Sequence, residues 1–301
     1  MGGTPAEHGK KLGMHAQALG WQDGHMSNKI AFLGCGSMNE AIMAGLLAAG
    51  VAKTDITATV RRRERAEELA KRYGVTVMAT NEEDDANQQA VRGSSLVIIG
   101  VKPVGVTALA AEIAASLPPQ SVVVSVAAAV SIEQLERSLP AGQPVIRTMP
   151  NTPARLGRGV VSVSGGTNAT RDQLEWVKGL FEGLGLVVEV PEEQVDAVSA
   201  VSGSGPAYAF YLAEAMADAG ARLGLDPELS LRLARETVVG AGFMLAEPGA
   251  DPAALRRAVT SPNGTTERAI ATFDERGLPG IIADGARAAA ERSKDITHEL
   301  G

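Results

Sequence analysis

Ile30-Ala31-Phe32-Leu33-Gly34-Cys35-Gly36-Ser37-Met38 is an apolar run that breaks abruptly into two glycines. Four apolar residues in a row suit a strand buried on both faces of a parallel sheet. A helical stretch follows from Asn39 to about Ala49, closed by Gly50. Strand, glycine turn and helix in that order are the context of a dinucleotide-binding fingerprint. Gly34 permits the tight turn, and Gly36 lets backbone approach a pyrophosphate at the positive helix end. The third fingerprint position, ordinarily Gly or Ala, holds Asn39. The pattern therefore departs from the full motif, and a turn that merely joins strand to helix is the plain alternative.

Moving outward, Ile56–Val60 reads as a second strand and Glu64 to Tyr73 as a charged helix closed by Gly74. Further strands are expected at Val75–Met78, Leu96–Val101, Val122–Val126, Val145–Thr148, Val160–Ser164 and Leu186–Val190, with helical patterns between most of them. This alternation implies an α/β fold with an N-terminal Rossmann-type, doubly wound parallel sheet. Residues 28 to about 103 hold the nucleotide-binding βαβ core, within a dinucleotide-binding domain spanning 28–190.

After Pro191 no convincing strand follows. Helix starts recur instead at Gly205-Pro206, Asp226-Pro227 and Asp251-Pro252. Asp before Pro supplies a cap, and Pro in the first turn sacrifices no internal hydrogen bond. Residues 191–301 thus read as an all-α domain. Its Ala-rich helix from Pro206 suits close packing, either within the chain or in a bundle shared between subunits.

Composition narrows the classes. The chain has 301 residues, 45% of them hydrophobic, and a formal net charge of −7. No apolar run reaches the ~18 residues of a membrane span, and basic residues cluster only at Arg61, Arg62 and Arg63. Neither nucleic acid nor a membrane is the expected partner, and a single cysteine, Cys35, excludes a disulfide framework and a cysteine zinc site. The expected location is cytoplasmic. The first 25 residues show no apolar period and end in Gly24-His25-Met26, and 1–27 are set apart from the domain that begins at 28. They read as an appended leader of cloning origin, with Met26 as the native start.

The end of the second strand bears on the cofactor. An NAD site usually places an acid there, whereas Val60 leads into Arg61-Arg62-Arg63. Guanidinium groups suit a 2′-phosphate, to which they donate charge-assisted bonds. NADP(H) is therefore expected, with NAD(H) less preferred. Cys35, with no second thiol or nearby histidine, reads as a small filler.

Subtraction bears on the chemistry. Beyond the leader the only histidine is His298, and no lysine lies between Lys178 and Lys294. This removes a Ser-His-Asp system, a histidine metal site, and the lysine or histidine that many alcohol-forming reductases use as acid. An iminium substrate, which arrives protonated, would need no such acid, although a tyrosine or water could also serve. Two loops, Ser202-Gly203-Ser204-Gly205 and Thr260-Ser261-Pro262-Asn263-Gly264-Thr265-Thr266, offer hydroxyls and open amides at helix starts. Each reads either as a carboxylate cradle or as a simple helix cap.

At these residues the chain resembles the pyrroline-5-carboxylate reductases. The likeness rests on Asp196-Ala-Val-Ser-Ala-Val-Ser-Gly-Ser-Gly-Pro-Ala-Tyr208 and on Val259-Thr-Ser-Pro-Asn-Gly-Thr-Thr266. Val101-Lys102-Pro103, Ser125-Val-Ala-Ala128 and Arg147-Thr-Met-Pro-Asn-Thr-Pro153 add to it. It runs in order from Lys29 to Asp295. The resemblance implies reduction of Δ1-pyrroline-5-carboxylate to proline by direct hydride transfer, in a homodimer or larger assembly of dimers. It further implies that Gly34, Gly36, Ser37 and Met38 hold the pyrophosphate and that Arg61, Arg62 and Arg63 hold the 2′-phosphate. Asn81, Val101, Lys102, Pro103, Ala127 and Ala128 would line the nucleotide cleft. Ser261, Pro262, Asn263, Gly264, Thr265 and Thr266 would bind the substrate carboxylate, with the Thr266 hydroxyl, the one catalytic group, near the ring nitrogen. Ser204, Gly205 and Pro206 would wall the pocket. Asn39 and Asn263 are departures, the latter standing where the family commonly has Gly. A reductase of another imine or a 2-keto acid, and a non-catalytic nucleotide-binding protein, are the rival readings.

Overall fold

The computed structural model describes residues 29–300; the leader and the Met26 start lie outside the described residues. Eight strands form one sheet: β1 Ile30–Leu33, β2 Ile56–Val60, β3 Thr76–Ala79, β4 Leu96–Ile99, β5 Val122–Ser125, β6 Val145–Pro150, β7 Gly159–Gly165 and β8 Gly185–Glu189. Their order is β3-β2-β1-β4-β5-β6-β7-β8. β1 lies between β2 and β4, with Ile30 paired to both Ile56 and Leu96. All four β1 residues are buried because both faces of the sheet are covered.

Alternate β1 side chains feed two separate cores. Ile30 and Phe32 pack with Ile42, Met43 and Leu46 of α1 (Ser37–Ala48), with Leu69 of α2 (Arg63–Tyr73), and with Val177 of α6 (Arg171–Phe181). Ala31 and Leu33 pack on the other face, against Val91 of α3 (Ala86–Val91), Ile113 of α4 (Val106–Ile113) and Leu135 of α5 (Ile132–Ser138). Each large side chain fully withdrawn from water contributes about 1.5–3 kcal/mol, so β1 is anchored from both sides. Helix ends follow local rules. Ser131 and Thr170 form capping boxes with Gln134 and Gln173. Gly74 closes α2 at φ 71°, a left-handed conformation that favours glycine.

The sheet departs from the all-parallel expectation at one place: β6 and β7 are antiparallel, while β7 and β8 run parallel. The cause is the connection. Between Pro150 and Gly159 stands only the short turn of helix Thr152–Leu156, too little for the crossover that a parallel return requires.

By internal contacts the chain divides into one unit up to Gly203, joined by residues from Ala290 on, and a second unit, Ser204–Ala289. In the first unit, α7 (Val195–Val198) runs into a π-helical turn, Ser199–Gly203. The C-terminal residues pack with the sheet: the Gln134 side chain donates to Thr297 O (3.0 Å), Ser293 donates to Asp196 (2.6 Å), and Leu300 rests on the second core. The second unit holds α8 (Gly205–Arg222), α9 (Pro227–Leu245), α10 (Pro252–Ala258), α11 (Thr265–Glu275) and the start of α12 (Leu278–Glu299). Asp226 and Asp251 cap α9 and α10 through their carboxylates. Helices α8 and α9 meet closely, because Ser230 donates to Ala217 O (2.7 Å) and a side chain at Gly220 would strike it. Yet Ser230 and Ala234 are the only buried residues between Ser204 and Ala289.

Asn39 occupies a slot at the centre of the sheet. It is 1% exposed, and its Nδ2 donates to Leu33 O (3.1 Å) and Ile98 O (3.4 Å), across the ends of β1 and β4. The slot exists because residue 100 is glycine; a Cβ there would overlap the Asn39 carboxamide. Gly100→Ala should therefore destabilise by about 1–3 kcal/mol, the usual cost of overpacking. Asn39→Ala in the same chain should restore most of that loss. Chemical denaturation of the two single variants and the double variant measures the coupling; additive effects would separate the two residues.

Candidate functional site

Parallel strands bring their carboxyl ends to one edge of a sheet, and ligands of open α/β sheets bind there, where the strand order reverses. Here the order reverses between β1 and β4. Gly34–Met38 follows β1, Arg61–Arg63 follows β2, Asn81 follows β3 by one residue, Val101–Pro103 follows β4, and Ala127 and Ala128 follow β5. Every residue expected at the nucleotide thus stands beyond one of five neighbouring strand ends.

Gly34 makes its turn at φ 69°, and a Cβ on it would run into Val101 Cγ1. Only glycine meets both conditions. Gly36 is exposed and open on its outer side, and it precedes α1 with no side chain capping the helix. The first-turn amides of Ser37, Met38 and Asn39 precede the first intrahelical bond, from Glu40 N to Gly36 O (2.8 Å), so the helix start is free to receive an anion. Two residues that the sequence reading passed over support the turn. Thr59, fully buried near the end of β2, accepts from Gly34 N (3.2 Å) and donates to Asn87 Oδ1 (2.7 Å), while Cys35 N donates to Thr59 O (2.7 Å). A polar residue in a buried strand was the available signal.

The three arginines divide. Arg63 opens α2 and pairs with Glu67 (2.8 Å) and Glu82 (3.6 Å). Arg61 and Arg62 are exposed and make no ion pair among the described residues. Asn81 N donates to Arg61 O (3.1 Å), which places Asn81 beside the corner. Lys102 is exposed, before the turn Pro103–Gly105; Ala127 is buried and Ala128 half-buried.

The residues expected at the substrate lie at two helix starts of the second unit. Ser204 precedes α8, with Gly205 and Pro206 as its first residues. The segment before it is held from the first unit's own side: Asn151, 7% exposed, donates to Ser202 O (2.8 Å) and accepts from Val160 N (2.9 Å). In the other loop Asn263 takes φ 59°, a left-handed conformation that Asn tolerates. Asn263 N donates to Glu267 (2.7 Å) and Gly264 N to Ser261 O (3.0 Å). Gly264 precedes α11, and the amides of Thr265, Thr266 and Glu267 come before its first intrahelical bond, from Arg268 N to Gly264 O (3.2 Å). Ser261, Pro262 and Thr265 are exposed and Thr266 half-buried.

Cys35 is 2% exposed, and burial, reinforced by the Glu40 charge, pushes its thiol up to about 12. It is a buried, protonated filler rather than a nucleophile. Alkylation at mildly alkaline pH should be slow in the native protein and fast once it is denatured. Rapid labelling of the folded chain would contradict this. Among the described residues no group of three or more His, Cys, Asp or Glu could hold a metal ion, and no helix is long and apolar enough to cross a membrane.

A family model described as pyrroline-5-carboxylate reductase dimerisation matches residues 192–296, and one described as NADP oxidoreductase coenzyme F420-dependent matches residues 29–129. A pyrroline-5-carboxylate reductase of Corynebacterium melassecola is 42% identical over 270 residues, 89% of this chain and 98% of that protein. One of Pseudomonas aeruginosa is 38% identical, over 91% of this chain and 98% of the relative. The structure of such a reductase from Coxiella burnetii superposes with a TM-score of 0.82 at 31% identity, covering 90% of this chain and 99% of that one. That of the Plasmodium falciparum reductase, which has NADP bound, gives 0.76 at 25% identity over 90% and 99%. With identity at this level running the length of both chains, and the fold matched throughout, the chain belongs to the pyrroline-5-carboxylate reductase family.

Proposed function

We propose that the chain reduces Δ1-pyrroline-5-carboxylate to proline with NADP(H) as the preferred cofactor and NAD(H) as the poorer one, working as a homodimer or an assembly of dimers. The observation that carries the cofactor choice is the pair Arg61 and Arg62. Arg63, Arg65 and Arg72 on the adjoining helix are all taken up by glutamates, whereas these two are left with no ion pair. Uncommitted guanidiniums beyond β2 suit a 2′-phosphate. The Gly34 turn, the open Gly36 and the uncapped start of α1 fit a pyrophosphate.

When bound, the nicotinamide supplies the hydride that the imine carbon accepts. The chain's own part is to bind and orient. The amides of Thr265, Thr266 and Glu267 at the positive end of α11 hold the substrate carboxylate. The Thr266 hydroxyl, which bonds to nothing else in the described chain, faces the ring nitrogen. No lysine or histidine stands between Ser204 and Ala289, and none is needed, because a protonated imine becomes an amine without a further acid. Catalysis here is positioning.

Assembly follows from the second unit. Phe210, Tyr211 and Phe243 are 68%, 72% and 63% exposed, on helices that bury almost nothing of their own. Such a surface marks an interface, and a second copy of the chain is the partner that supplies a matching face.

Adding pyrroline-5-carboxylate should cause oxidation of NADPH, whereas 2-keto acids should not. In that assay Thr266→Ala should lower kcat/KM by roughly ten- to a hundredfold, the worth of a hydrogen bond to a charged group; an unaltered value would remove Thr266 from the mechanism. Arg61→Ala with Arg62→Ala should raise KM for NADPH far more than for NADH. Equal changes for both cofactors would defeat the 2′-phosphate assignment.

A further inference from the structure

Between α1 and α2 lies a closed ring of charges. Glu40, in the first turn of α1, accepts from Tyr73 OH (2.9 Å) and Arg72 Nη1 (2.7 Å) on one oxygen and from Arg65 on the other. Glu68 takes the remaining arms of the same arginines, Arg65 Nη1 at 2.7 Å and Arg72 Nη2 at 2.6 Å. Each guanidinium therefore forks between two carboxylates, one on each helix. The Glu40 side chain is only 16% exposed, so its pairs are less screened than the surface pairs around them. Burial alone would raise its carboxyl, but the hydrogen bonds from Tyr73, Arg65 and Arg72 outweigh that and hold it below the usual carboxylate range.

The ring's position gives it a consequence. Glu40 belongs to the helix whose start carries Gly36, Ser37 and Met38. The other four members belong to the helix that begins at Arg63, directly after Arg61 and Arg62. Helix α2 buries only Ala66 and Leu69, so apolar packing alone fixes its roll weakly.

We propose that Glu40 is a positioning residue for cofactor choice: through Arg65, Arg72 and Tyr73 it fixes where α2 presents Arg61 and Arg62 relative to the Gly34–Met38 turn, and so sets the preference for a 2′-phosphorylated dinucleotide. This rests on the assignment of Arg61 and Arg62 to the 2′-phosphate. Both cofactors share the pyrophosphate, and only one carries the group that the corner reads. Loosening the ring therefore acts on one cofactor and not on the other.

The test is steady-state kinetics of Glu40→Gln with each cofactor, alone and combined with Arg61→Ala and Arg62→Ala. Glu40→Gln should raise KM for NADPH on the order of tenfold, with kcat at saturating NADPH retained. KM for NADH should stay within about twofold. In the Arg61→Ala, Arg62→Ala background the same change should leave the cofactor ratio where it is, a coupling that a general loss of stability does not produce. A parallel rise for both cofactors, or none, overturns the role of Glu40 while the arginine variants still report on the 2′-phosphate. If the arginine pair itself fails to alter the ratio, the underlying assignment falls and this proposal with it. Should Glu40→Gln not fold, Tyr73→Phe removes a single donor from the same carboxylate and must shift the ratio in the same direction; an unchanged ratio there is a negative result.

Discussion

The first unit depends on the close approach of Gly34 to Val101. Strand β1 is packed from both faces and ends where the order of strands reverses, so its next residue must turn sharply beside the end of β4. A left-handed φ and the absence of a Cβ are both required there. Thr59 and Asn87 hold the turn from the β2 side, and Asn39 ties the ends of β1 and β4 beneath it. The result is a glycine turn whose own amides are bonded within the chain, leaving those of Ser37, Met38 and Asn39 open at the start of α1, where no side chain caps the helix. A departure from the usual fingerprint at Asn39 is absorbed by a second glycine, Gly100, just past the end of β4.

The second unit answers a different constraint. Between Ser204 and Ala289 only Ser230 and Ala234 are fully buried, so much of the apolar surface of its helices is open to water. Its Asp caps and its Ser230–Gly220 contact define helices and one close crossing, not a core. The exposed Phe210, Tyr211 and Phe243 are the residues through which further burial would be gained. The same residues fall within the stretch that matches the dimerisation family model, 192–296.

Much of this was legible in the sequence. Apolar runs locate all eight strands to within a residue or two; for inner strands such as β1, β4 and β5 the reason is that a strand covered on both faces has no choice but to be apolar. The Asp-Pro pairs mark the starts of α9 and α10 for equally local reasons. What was hidden is what depends on residues far apart. The antiparallel turn of β7 follows from a short connection, which apolar content does not record. The slot shared by Asn39 and Gly100, and the hydroxyl that Thr59 lends to Gly34, need the sheet to be assembled before they exist. At the cofactor corner the sequence shows three equivalent arginines. Only the fold shows that Glu67 and Glu82 take Arg63 and leave the other two uncommitted.

Under the proposed function, the cofactor corner and the substrate loop would choose their ligands by opposite means. At the cofactor corner, charge selects: guanidiniums left unpaired beside a helix rich in paired ones have a net positive field that an extra phosphate can fill. At the substrate loop, absence selects. With no lysine or histidine in the helical unit, a keto substrate would develop negative charge on oxygen that only a tyrosine or water could quench. A protonated imine develops none, since the electron pair it receives leaves a neutral amine. Amides and a hydroxyl then suffice, because the substrate's fixed charge is its carboxylate, and a helix start holds a carboxylate without a cation. On the same proposal the loop can carry Asn263 in a left-handed turn, because a role played by backbone needs only its conformation preserved.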